Sequence, residues 1–137
     1  MGFNEKCEEI KNLFASADTP EKRYRVIIDL GKRQKALSPE DKCEENLVVG
    51  CQSQTYIKTR VQDEVLFFDI ESDALISAGL GQLLTRVYSG ERAETILQNP
   101  PKYLEELLLR AILSPGRANG LLSMWRRILH EAQEAKS

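Results

Sequence analysis

A chain of 137 residues with 42% hydrophobic and 29% charged residues has the size and composition of one globular domain, 1–137, able to bury a core. Its net charge of −2 lacks the basic bias that bulk nucleic-acid binding needs. No apolar run approaches the roughly 20 residues of a membrane-spanning helix, and Gly2-Phe3-Asn4-Glu5-Lys6 carries neither a signal nor a transit pattern. The expected compartment is the cytosol, with no membrane or nucleic-acid partner.

Taken in order, Asn4 is placed to cap a first helix, and Cys7, Ile10, Leu13 and Phe14 recur at the spacing of one buried face. Cys7 reads as a small core residue. Asp18-Thr19-Pro20-Glu21 opens a second helix, with Thr19 accepting from orphan amides and Pro20 at the first helical position. Tyr24, Ile27 and Ile28 form its apolar stripe, and Gly31 reads as its left-handed cap. Lys22, Arg23, Arg25, Lys32, Arg33 and Lys35 lie outward, as a solvated face or a basic patch for an acidic partner.

Periodicity is lost over 35–46. Cys43 sits there among carboxylates that disfavour its thiolate. Leu47-Val48-Val49 is β-branched and apolar, and reads as a brief strand. Gly50 follows, then Cys51, then Gln52-Ser53-Gln54. Glycine opens backbone conformations closed to other residues, so Cys51 can be lifted onto a tight tip. Thr55–Val61 and Glu64–Ile70 both alternate, across a turn at Gln62-Asp63, and predict an antiparallel hairpin. Ile57, Thr59 and Val61 share one face of the first run, and Leu66, Phe68 and Ile70 one face of the second.

Ser72 or Asp73 is expected to cap the next helix, striped by Ile76, Leu80, Leu83, Leu84 and Val87. Gly79 and Gly81 each cost that helix about 1 kcal/mol relative to alanine, which points to a close backbone contact, with the Cys51 loop as one candidate. A helical turn is expected over 91–98. Asn99-Pro100-Pro101 stops it. A further helix, 102–113, turns Leu104, Leu107, Leu108 and Ala111 inward. Ser114-Pro115 starts the last helix, striped by Leu121, Met124, Trp125, Ile128 and Leu129. Arg117 stands in its first turn, where a cation is disfavoured. A partner elsewhere, a carboxylate or thiolate, is one reading, and a plain surface arginine the other. The single histidine, His130, reads as solvent-exposed.

Three cysteines at 7, 43 and 51, with no CxxC pair, make no disulfide framework. Cys43, Cys51 and His130 do not supply the close ligand spacing of a metal site. A lone distal histidine is a poor general base for a cysteine hydrolase. No phosphate loop or dinucleotide fingerprint is present. Thiol–disulfide chemistry at sulfur needs only an accessible sulfur, with no built-in acid or base, so Cys51 is the candidate working residue. A metal or cluster scaffold and an independent thiol enzyme stay open beside a sulfur carrier.

Val49-Gly50-Cys51-Gln52-Ser53-Gln54, Glu71-Ser72-Asp73-Ala74 and Leu113–Leu121, with Tyr24–Gly31 and Lys32-Arg33, resemble the SufE/CsdE family of sulfur-acceptor proteins in order and spacing. The resemblance implies an α+β fold, a small antiparallel sheet packed against several helices, similar to the iron–sulfur scaffold proteins. It implies that Cys51 accepts persulfide sulfur from a pyridoxal-phosphate-dependent cysteine desulfurase of the SufS type and passes it to a cluster scaffold. The protein would be a carrier and desulfurase activator, not an enzyme. Gly50, Gln52, Asp73 and Arg117 are the supporting or partner-contacting residues it implies. The pyridoxal phosphate would be the partner's, leaving this chain no cofactor or metal. Glu71 and Gly116 stand where the family commonly has Asp and Ser, and Cys43 lies outside its pattern.

Overall fold

Two helices come first: α1 (Phe3–Leu13) and α2 (Pro20–Lys32). Single 3-10 turns at Pro39–Asp41 and Glu44–Asn46 lead to the hairpin β1 (Thr55–Gln62) and β2 (Val65–Ser72). Then follow α3 (Leu75–Tyr88), the two-residue strand β3 (Glu91–Arg92), α4 (Ala93–Gln98), α5 (Lys102–Leu108) and α6 (Pro115–Lys136). These elements come from a computed structural model that describes residues 1–108 and 113–136, without the side chains of Glu106 and Leu108. Of the predicted inward positions, the side chain of Leu108 and the whole of Ala111 lie outside what is described. The sheet is antiparallel in the order β1-β2-β3 and the helices pack on it, which is the expected α+β architecture.

Alternation sets the sheet's faces. Ile57, Leu66, Phe68 and Ile70 are buried, and each turns the same way out of the pleat. The turn falls one residue later than the sequence predicts. Asp63 and Glu64 occupy it at φ 52° and 65°, the paired left-handed geometry that matches the strand twist. β3 is a second departure. Glu91-Arg92, expected to be helical, pairs with Leu66 and Val65 instead. Two residues are too short for alternation to show. Leu47 makes only an isolated bridge to Tyr56 rather than a strand.

α3 is the centre of the core. Leu80, Leu83, Leu84, Val87 and Tyr88 are each at most 1% exposed. Its glycines permit two close approaches. A Cβ on Gly79 would stand 1.9 Å from Ile27 O of α2, and one on Gly81 would stand 2.0 Å from Ile70 Cδ1. The contact behind their helix-propensity cost is therefore with α2 and β2, not with the Cys51 loop. Gly31 is not the left-handed cap that the sequence predicts. It lies inside α2 against the start of α3, where a Cβ would meet Leu75 O at 2.1 Å.

The helix starts are partly as read. Thr19 Oγ1 accepts from Lys22 N, as expected. Gly2, not Asn4, precedes α1, and Ala74 is the residue before α3, with Ser72 Oγ accepting from Ala74 N at 3.3 Å. Cys7 is buried at 8% exposure, and His130 is exposed, 3.9 Å from Glu134. Met124 and Ile128 bring α6 onto the core, and the Trp125 ring lies 5.0 Å from that of Tyr88. Among the described residues no helix is long and apolar enough to cross a membrane.

Candidate functional site

The segment before Cys51 is held at both ends. Arg127 of α6 donates through Nη2 to Glu45 O at 2.5 Å and through Nη1 to Leu47 O at 3.4 Å, while its Nε bonds Glu131. Val48 N then donates to Thr55 O at 2.8 Å, and the Val48 side chain is buried. Beyond the tip, Gln54 N donates to Asp73 Oδ1 at 3.1 Å while Asp73 N donates to Gln54 O at 3.2 Å. Asp73 thus clasps the exit of the loop to the end of β2. Between these anchors the chain turns at Gly50, φ +96°, a conformation that strains any side chain.

The tip lies on α6. A Cβ on Gly50 would stand 2.4 Å from Ser123 Oγ; one on Gly116 would stand 2.3 Å from Gln52 Oε1; one on Gly120 would stand 3.7 Å from Cys51 Sγ. Gly116, Gly120 and Ser123 follow the i, i+4, i+7 spacing of one helix face. Three consecutive loop residues thus rest on three small residues of one helix. The sequence did not single out this strip, because its apolar pattern reports larger side chains. Its signal was spacing of small residues.

Cys51 itself is half-buried. Its thiol donates to Gly120 O at 3.6 Å, a long contact typical of sulfur. Beneath it, Ser53, Thr55, Ser72 and Ser77 join hydroxyl to hydroxyl at 2.8–3.2 Å. α3 joins this chain of hydroxyls through Ser77. Burial pushes the Cys51 thiol above the ordinary 9.0, and the hydrogen bond from Thr55 only partly opposes this. Among the described residues no cation contributes to the balance. Cys51 therefore rests as a thiol at neutral pH.

Alkylation of Cys51 by iodoacetamide is expected to rise with pH and reach its midpoint above 9.0. The raised value favours the protonated folded form, so the contribution to stability is present below the ordinary thiol value and is lost as pH climbs through the raised one. A midpoint at or below 9.0, read by mass spectrometry of the alkylated peptide, would contradict the buried seat.

Of the other predicted residues, Arg117 departs most. Its guanidinium stands 5.7 Å over the ring of Tyr24 on α2, so among the described residues its partner is an aromatic face rather than a carboxylate or thiolate. It is exposed and one residue from Gly116, on which Gln52 is seated. Gly50, Cys51 and Gln52 are thus brought together on α6, Asp73 braces them from just beyond the end of β2, and Arg117 belongs to the α2–α6 contact. Val49, at the tip, is 87% exposed. Cys43 lies apart in the 3-10 segment, hydrogen-bonded to the Glu45 carboxylate. The three cysteines are unpaired, and among the described residues no group of three or more His, Cys, Asp or Glu side chains is placed to hold a metal ion.

Comparison with known proteins places the chain in a family. Residues 8–132 match the family model SufE, described as an Fe-S metabolism associated domain. The chain is 32% identical over 131 residues to the sulfur acceptor protein CsdE of Escherichia coli, covering 94% of this chain and 89% of that one. It is 38% identical over 131 residues to an uncharacterised SufE-like protein of Rhizobium meliloti, covering 92% and 94%. It is 34% identical over 128 residues to SufE-like protein 1, chloroplastic/mitochondrial, of Arabidopsis thaliana, spanning 93% of this chain but only 34% of that longer protein. The solution structure of a hypothetical protein from Thermus thermophilus shares the fold, with a TM-score of 0.74 at 20% identity over 96% of both chains. With the model match running over nearly the whole chain, this protein belongs to the SufE family.

Proposed function

We propose that this protein is a sulfur acceptor of iron–sulfur metabolism. It takes persulfide sulfur from a pyridoxal-phosphate-dependent cysteine desulfurase of the SufS type onto Cys51, stimulates that enzyme, and delivers the sulfur to a cluster scaffold. The observation that carries this reading is the mount of Cys51: a thiol at a glycine-hinged tip, laid on a strip of small residues of α6 and next to an exposed valine. Family membership and the name of the Escherichia coli relative agree with it.

The chemistry needs little from this chain. Docking lifts the tip off Gly116 and Gly120, turning about Gly50, and exposure returns the thiol toward its ordinary acidity. The thiolate attacks the outer sulfur of the desulfurase persulfide. A new S–S bond forms at Cys51, the bond within the desulfurase persulfide breaks, and the desulfurase cysteine leaves as a thiolate that takes up the proton Cys51 released. No net oxidation or reduction occurs, and no acid or base is required at the tip. The pyridoxal phosphate acts earlier, in the partner. Resting burial protects the thiol from oxidants between transfers. Asp73 and Arg117 act as supports here, the first holding the loop's exit and the second fixing the first turn of α6.

Incubation with a desulfurase and cysteine, followed by peptide mass mapping without reductant, tests this directly. One sulfur adds about 32 mass units to the Cys51 peptide, and none to the peptides of Cys7 and Cys43. Sulfur that still loads onto a Cys51→Ser protein would refute the assignment.

A further inference from the structure

The outer edge of β2 carries an incomplete ladder. Ser72 turns its N–H and C=O away from β1, and both are taken by the Gln34 side-chain amide, each at 3.0 Å. Alternation of an antiparallel strand then aims the main-chain groups of Ile70, Phe68 and Leu66 at the same edge. At the far end, Gly90 N donates to Leu66 O at 2.7 Å, and Phe68 N donates to Ser89 Oγ at 3.0 Å. Between these two ends, the C=O of Phe68 and both main-chain groups of Ile70 have no hydrogen-bond partner among the described residues.

This gap opens into a cleft of about 570 Å³, walled by residues 33–38, by Phe68–Ile70 and by Gln82, Thr85 and Arg86 of α3. Gln82 and Thr85, each 7% exposed, bring an amide and a hydroxyl to the wall. Arg33, Lys35 and Arg86 line it. Of the two carboxylates there, Asp41 is already bound to Lys58 at 2.6 Å, and Asp69 stands alone against three cations. No residue of the Cys51 loop or of α6 lines this cleft.

We propose that the cleft is a second docking site, which adds a short extended segment of a partner protein, rich in acidic side chains, to the outer edge of β2 at Phe68 and Ile70. The unused groups are one donor and two acceptors on a strand edge. A peptide backbone supplies both polarities at that spacing, whereas an ionised carboxylate has no donor for the two carbonyls. The surplus of cations selects acidic side chains on the incoming segment. Exposed strand edges are usually blunted, and here the Gln34 amide and the Ser89 hydroxyl close the two ends while the middle stays open.

The test uses the whole chain, labelled for NMR, with no desulfurase present, so its outcome is independent of the sulfur-acceptor reading. In the free protein the Ile70 amide is expected to exchange faster than those of Asp69 and Glu71, whose N–H groups face β1. The probe is a blocked five-residue peptide alternating glutamate and valine. It should shift and protect the Ile70 amide and leave the resonances of 49–52 in place. Arg86→Glu, or Lys35→Glu on the exposed loop should the first fail to fold, should weaken the peptide about tenfold. Slow exchange of Ile70 in the free protein, or no shift there at millimolar peptide, would overturn the proposal. So would equal binding of the lysine–valine peptide, or of the acidic peptide N-methylated at its central residues. Inorganic phosphate giving the same shifts would reduce the cleft to an anion site and overturn it as well.

Discussion

Gly79→Ala is expected to lower the stability of this protein by about 2–3 kcal/mol, a fall in Tm of roughly 6–12 °C for a chain of this size. On an exposed helix the same change would be a gain of about 1 kcal/mol, because alanine loses less backbone entropy. Here the added methyl would stand 1.9 Å from Ile27 O and 2.8 Å from Ile27 Cγ2. The obstructing atom is a main-chain carbonyl in the middle of α2, so relief requires moving one helix away from the other. That motion opens the packing of Ile27 and Leu30, both at most 1% exposed. Gly31→Ala meets Leu75 O at 2.1 Å, on the same interface, and should behave alike. Gly81→Ala meets first the end of the Ile70 side chain, which can rotate, and should cost less. Thermal unfolding of the three variants checks the order. A Gly79→Ala protein as stable as the parent would mean that α2 and α3 are not pressed together as described.

The part of this fold that was legible in the sequence is the part governed by a period. The alternation of Ile57 with Lys58, and of Leu66, Phe68 and Ile70, determined the hairpin faces, and the stripe on α3 determined its inward side. Gly50 was legible too, because a glycine before a presented side chain has few other uses. What escaped has no period of its own. β3 is two charged residues held by register with β2. The close contacts of Gly31 and Gly79 depend on which helices meet, and glycine in a helix signals a contact without naming its partner. Arg117 was read through charge alone, and an aromatic face such as that of Tyr24 attracts a cation without any formal charge. The seat of Cys51 escaped for the same reason as the helix contacts. Gly116 and Gly120 are informative because they present nothing, and a reading built on apolar side chains looks for what a helix presents.

That emptiness can be titrated by filling it. Gly120→Val is expected to expel the Cys51 tip and raise its alkylation rate at neutral pH by about tenfold, because the sulfur becomes accessible and its acidity returns toward that of an exposed thiol. Among the described residues, Cys51 Sγ is the only atom outside the helix's own turns within 4 Å of a Cβ built at Gly120, at 3.7 Å, an ordinary contact distance. Alanine therefore fits beneath the sulfur, should leave the alkylation rate near the parent value, and should stabilise the helix by about 1 kcal/mol. The two γ-methyl groups of valine reach roughly 1.5 Å further, one carbon–carbon bond length, and occupy the space of the sulfur itself. The core is spared, since Met124 and Ile128 carry the packing of α6 and Gly120 meets only the loop. Once expelled, the thiol loses both the burial that raises its pKa and its bond to Gly120 O. If the tip is the moving part of a sulfur relay, the valine protein should also load sulfur from a desulfurase at a lower partner concentration than the alanine protein, because lifting the tip no longer draws on docking energy. Equal alkylation of the valine and alanine proteins would show that the tip does not depend on the glycine strip of α6, and the account of a held and released thiol would fail with it.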